Sequence, residues 1–134
     1  MRMPILSDQM ETRTSRVLII DDDQSVRQTI SCILSSGMIE VIEAESGEKG
    51  IELARTANPA LILSDICMPN MDGFAVLDYL QRDPETVNIP FIFMTGWADS
   101  AEVCNQLKQG VRLIRKPFHV KMLMNSVLAH LGEP

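Results

Sequence analysis

A chain of 134 residues, 46% hydrophobic and 22% charged, carries enough apolar material for one globular domain with a real core. No apolar stretch approaches the roughly 20 residues of a membrane span, which argues against a membrane partner, and a formal net charge of -6 argues against a nucleic-acid partner, whose phosphates call for a basic face. Three cysteines without CxxC spacing and two histidines remote from Cys32 and Cys67 lead us to expect neither a disulfide framework nor a zinc site, and a reducing cytoplasm as the location.

Met1 to Ser15 is broken up by Asp8, Gln9, Glu11 and Arg13, so it lacks the apolar core of a signal peptide and reads as a mobile extension. Val17-Leu18-Ile19-Ile20 is a continuous apolar run of the kind a strand buried on both faces shows, and it ends in Asp21-Asp22-Asp23. From Ser25 onward Val26, Ile30, Ile33 and Leu34 recur at helical spacing, with Gly37 as a stop signal. Met38 to Glu43 is a more polar second strand suited to an edge. Ser46-Gly47-Glu48 opens a second helix, with Ile51 and Ala54 on its apolar side, and Asn58-Pro59 ends it. Leu61-Ile62-Leu63-Ser64-Asp65 is a third strand ending in a single carboxylate. The loop Ile66-Cys67-Met68-Pro69-Asn70-Met71-Asp72-Gly73 then turns the chain into the next helix.

Phe74, Leu77 and Leu80 form one stripe of that third helix, ended by Asp83-Pro84. Phe91-Ile92-Phe93-Met94 is a fourth buried strand with Thr95 and Gly96 at its carboxyl end. A fourth helix from about Asp99 or Ser100 buries Val103, Cys104 and Leu107 and stops at Gly110. Val111 to Arg115 is a short fifth strand, followed by Lys116-Pro117. Val120, Leu123, Met124, Val127, Leu128 and Leu131 mark a last helix. Five strands alternating with five helices imply right-handed βαβ units, a parallel sheet covered on both faces, and an α/β class.

Ligands of such sheets bind beyond the carboxyl ends of the strands. In a parallel sheet that edge gathers Asp21, Asp22, Asp65, Thr95 and Lys116. Three carboxylates in one crevice stay ionised only with a compensating cation, and oxygen donors favour a hard divalent ion, Mg²⁺ above all. A cation, an ammonium group and a hydroxyl donor around one carboxylate suit phosphoryl transfer. The charge to be stabilised there lies on the equatorial oxygens, and Asp65 can serve as the nucleophile.

These segments resemble the receiver domain of two-component response regulators. The likeness rests on Val17 to Asp23, Leu63-Ser64-Asp65 through Gly73, Met94-Thr95-Gly96 and Arg115-Lys116-Pro117-Phe118, in the family's order, and it covers about residues 16 to 131. It implies a flavodoxin-like doubly wound sheet of order 2-1-3-4-5 and a cis bond between Lys116 and Pro117. Residues 16–134 would be the receiver domain, following an extension over residues 1–15, and it would be a stand-alone regulator like those of chemotaxis, with no effector module. The resemblance makes Asp65 the phosphoacceptor and Asp22 a direct Mg²⁺ ligand. Asp21 would bind through water, the Cys67 carbonyl would be a further ligand, Thr95 would follow the phosphoryl group, and Lys116 would pair with it. A histidine kinase or phosphotransfer protein would be the donor and a downstream protein the target, the only catalysis being the domain's own phosphorylation and dephosphorylation. A phosphorylation-dependent dimer stays open.

Two features depart from the family pattern. Leu113 stands where receivers commonly carry a switching Tyr or Phe. Trp97 stands two residues after Thr95 and Cys67 two after Asp65, neither of them acidic, which favours hindered access of water and a long-lived phosphorylated form. Simpler readings compete at single positions. Asp21 to Asp23 alone would be a solvated strand end or a helix cap, and Asp23 is read that way in any case. An EF-hand fails because Val26 and Cys32 occupy the Gly and Glu positions. Cys67 without a matched histidine is a structural thiol rather than a nucleophile, and Trp97 serves packing or a partner contact equally well. Two further functions stay in view: a constitutive interaction module, and a small-molecule phosphatase, disfavoured because no second acid stands two residues after Asp65.

Overall fold

The computed structural model describes residues 15–35, 39–95, 112–115 and 120–131. In chain order these form β1 (Ser15–Ile20), α1 (Gln24–Ser35), β2 (Ile39–Ala44), α2 (Gly47–Thr56), β3 (Leu61–Asp65), α3 (Gly73–Gln81), β4 (Phe91–Thr95), β5 (Arg112–Arg115) and α4 (Val120–His130). The sheet order is β2-β1-β3-β4-β5 and every pairing is parallel, as expected of a flavodoxin-like doubly wound sheet. Four helices fall among the described residues. The expected helix between β4 and β5, residues 1–14 of the expected extension and the Lys116-Pro117 bond lie outside them, while Ser15, expected as the last residue of that extension, opens β1.

Alternation along the strands sends side chains into two cores. Leu18, Ile20, Ile62, Phe91 and Phe93 pack with Ile51 and Ala54 of α2 and Val76, Leu77 and Leu80 of α3. Val17, Ile19, Leu61, Leu63, Ile92, Met94 and Ile114 pack with Ile30 and Leu34 of α1 and Leu123 and Val127 of α4. Strands buried on both sides need no polar alternation, which is why β1, β3 and β4 read as unbroken apolar runs. The edge strand β2 is buried only at its two ends, in keeping with its polar sequence.

Local chemistry sets the helix ends. The Ser46 hydroxyl accepts from the Lys49 N–H at 3.1 Å and Asp72 Oδ1 from the Ala75 N–H at 2.9 Å, each an N-cap contact. Asp23 Oδ1 accepts from both the N–H (2.9 Å) and the hydroxyl (2.7 Å) of Ser25 at the start of α1. At Gly50, a Cβ would run into Ile20 Cδ1, so glycine lets α2 lie directly on β1. Two details differ from the periodicity. Val76 is fully buried beside the expected stripe of α3, because that helix touches both the sheet and α2. Val120, at the first position of α4, is 60% exposed.

Candidate functional site

β1 and β3 pair in register from Val17 with Leu61 to Ile20 with Ser64. The next residue on each strand is a carboxylate, so Asp21 and Asp65 leave the sheet side by side. Asp22 follows, and one oxygen from each of Asp21, Asp22 and Asp65 lies within 4.8 Å of the other two. Asp21 is completely buried, Asp65 is 7% exposed, and Asp22 is open to solvent. Like charges at such separations repel by on the order of 3 kcal/mol per pair at an effective dielectric constant near 20. All three donors are hard anionic oxygens, a set that suits a small hard cation.

The backbone around these carboxylates is tightly held. The Asp21 N–H donates to the Ala44 carbonyl at 3.1 Å, and Asp21 Oδ1 accepts from the Asp23 N–H at 2.9 Å. The Arg27 guanidinium donates to the Asp21 carbonyl at 2.7 Å. On β3, the Ile66 N–H is shared between Asp65 Oδ1 at 3.0 Å and the Met94 carbonyl at 3.1 Å. The buried Ser64 hydroxyl donates to the Asp65 carbonyl at 3.0 Å.

The loop after Asp65 folds back on itself. Asn70 adopts a φ of 71°, a left-handed conformation that Asn tolerates well, and the Met71 N–H donates to the Pro69 carbonyl at 2.7 Å. The Gly73 N–H then closes the loop on the Ile66 carbonyl at 2.8 Å. Cys67 sits within it, an exposed free thiol. Thr95, 1% exposed, ends β4 one position beyond Met94, the register partner of Asp65. Leu113 pairs in register with Phe93 and packs, partly buried, against the α2/α3 core.

Of the residues singled out from the sequence, Asp21, Asp22 and Asp65 come together, Thr95 and Cys67 stand on the same edge of the sheet, and Lys116 and Trp97 lie outside the described residues. Sequence reasoning missed Arg27 altogether and saw in Gly73 only a turn residue before the next helix, not its approach to Asp65. The signal for Gly73 was available, since a glycine opening a helix just after a turn marks a close approach. Arg27 offered none beyond its place one turn after the acidic triplet. No helix among the described residues is long and apolar enough to cross a membrane.

Comparison with known proteins gives this edge its context. RpaA of Synechocystis sp., described as a DNA-binding dual master transcriptional regulator, is 34% identical over 87% of this chain and 48% of its own length. The chain thus spans about half of that regulator, whereas it covers 98% of PilH of Pseudomonas aeruginosa, to which it is 32% identical over 88% of its own residues. Among solved structures, the Vibrio cholerae chemotaxis protein CheY4 superposes with a TM-score of 0.78 at 26% identity, over 87% of this chain and 98% of the other. The family model for the response regulator receiver domain matches residues 17–128, and with the sheet order and the acidic strand ends described above this chain belongs to that family.

Proposed function

We propose that the chain is a phosphorylation-dependent signalling switch in which Asp65 accepts a phosphoryl group from a histidine kinase or phosphotransfer protein. The observation that carries this reading is the convergence of Asp21, Asp22 and Asp65 within 4.8 Å at the carboxyl end of a central strand. Three hard anionic oxygens gathered within 4.8 Å suit a small hard cation such as Mg²⁺. Asp22 and Asp65 would bind it directly and Asp21 through water, with the Cys67 carbonyl as a further ligand. What bound Mg²⁺ contributes is neutralisation of the charge on the phosphoryl oxygens.

In the reaction an Asp65 carboxylate oxygen attacks phosphorus. The bond from phosphorus to the donor imidazole nitrogen breaks, that nitrogen keeps the electron pair, and an acyl phosphate results. The Thr95 hydroxyl donates to a phosphoryl oxygen and the Lys116 ammonium pairs with another. Attack of water on the acyl phosphate releases inorganic phosphate and restores the carboxylate. The output is a changed protein contact in the cytoplasm, through the face of β5, α4 and the segment between β4 and β5. The switch spans residues 16–134, and the extension before it gives way to β1 at Ser15.

Incubation of the purified chain with acetyl phosphate and Mg²⁺, read by intact mass, should add one phosphoryl group to the parent and none to Asp65→Asn. Labelling retained in that variant overturns the assignment. Partner binding indifferent to phosphodonor and to Asp65→Asn points instead to a constitutive interaction module.

A further inference from the structure

Arg27 stands one turn into α1 with its side chain only 13% exposed. Two of its nitrogens are committed in different directions. One donates to the Asp21 carbonyl at 2.7 Å and Nε donates to Glu43 Oε1 on β2 at 3.0 Å. Glu43 is itself held, because its other oxygen accepts from the Ser31 hydroxyl at 3.0 Å. One planar guanidinium therefore joins the first helix, the edge strand and the peptide that leads from Asp21 to Asp22. Lysine, a single point of charge, cannot reproduce this fork.

That peptide is where the acidic edge most needs fixing. Asp21 is buried and its own N–H and carboxylate are bonded to Ala44 and Asp23. Asp22 is exposed, so its carboxylate takes its place from the backbone that carries it rather than from packing. The Asp21 carbonyl is the hinge between the two, and a short charge-assisted bond holds it.

We propose that Arg27, locked by Glu43, is a positioning residue for the metal site: it fixes the Asp21–Asp22 peptide so that both carboxylates meet one divalent cation. This rests on the Mg²⁺ reading given above. The alternative, that Arg27 is merely a nearby positive charge, predicts the opposite sign, since removing a cation would tighten cation binding. Pairing with Glu43 makes the arginine locally neutral, which leaves geometry as its contribution.

The test is Mg²⁺ affinity by titration calorimetry, with Mn²⁺ as a spin probe, on the full chain and its variants. The parent should bind and Asp21→Asn should bind far more weakly. A parent that does not bind, or an Asp21→Asn that binds equally well, removes the metal reading and this inference with it. Once that control holds, Arg27→Gln should weaken Mg²⁺ about 10-fold or more, as loss of outer partners of metal ligands does. Arg27→Lys, which keeps the charge but not the fork, should fall between the two and broaden the Mn²⁺ spectrum. Thermal melts in chelator identify folded variants, and Arg27→Lys carries the test should Arg27→Gln not fold. Unchanged or tighter binding in a folded Arg27 variant overturns the proposal.

Discussion

Gly73 lies directly against the main chain of Asp65: its N–H reaches back to the Ile66 carbonyl, and a Cβ at Gly73 would overlap the Asp65 carbonyl oxygen. The first residue of α3 and the last residue of β3 thus share one contact. The atom in the way is backbone, which cannot swing aside as a side chain could.

Gly73→Ala should therefore destabilise the domain by about 1–3 kcal/mol, the usual cost of forcing a methyl group into a filled space. Alanine's better helix propensity, worth at most about 1 kcal/mol, opposes this and loses. Urea unfolding measures the net effect. Phosphorylation by acetyl phosphate should slow as well, because the displaced backbone is that of Asp65, the proposed acceptor. A variant as stable as the parent would show that the loop relaxes freely.

Removing a carboxylate from the acidic edge should separate repulsion from metal binding. Asp21→Asn keeps an oxygen that can accept the Asp23 N–H but drops one of three charges. In chelator this variant should melt above the parent. At a Mg²⁺ concentration 100 times its dissociation constant the parent should gain about 2.7 kcal/mol, and the variant little of it. Differential scanning calorimetry with and without Mg²⁺ reads both.

Thr86 supplies a control at the other end of the sheet. It is 2% exposed and its hydroxyl donates to the Leu80 carbonyl at 2.7 Å, tying the α3–β4 connection to the end of the helix. The same carbonyl also accepts from the Asp83 N–H at 3.3 Å, so Thr86→Val leaves it partnered. A loss of about 1 kcal/mol in unfolding free energy is expected, with unchanged phosphorylation. A large effect on labelling would mean that the two ends of the sheet are coupled.

Lifetime of the acyl phosphate is the fourth readout. If Trp97 hinders water, Trp97→Ala should shorten the phosphorylated half-life several-fold after the donor is removed, measured as loss of the intact-mass increment. Equal half-lives would sink the idea.

Much of this could be read from the residues because the doubly wound sheet writes itself plainly into a chain. Val17 to Ile20 and Leu61 to Leu63 are apolar without interruption since both of their faces are covered. Asp65 stands out because a carboxylate ending such a run can only emerge at the strand's end. What stayed hidden depends on contacts between segments distant in sequence. Gly50 looks like a weak helix residue until Ile20 is seen against it. Arg27 looks like any surface arginine until α1 lies beside β2 and brings Glu43 to it. Val76 escaped the simple stripe because α3 has two neighbours rather than one.

The shared amide of Ile66 carries one more consequence. It bonds at once to Oδ1 of Asp65 and to the carbonyl of Met94 on the adjacent strand. Any loss of negative charge on that oxygen weakens the first bond and leaves the proton to the second, so the chemical state of Asp65 is translated into how firmly β3 grips β4 at its last rung. A single backbone N–H, followed by its nitrogen shift, would thus serve as a gauge that converts a charge into a tension between strands.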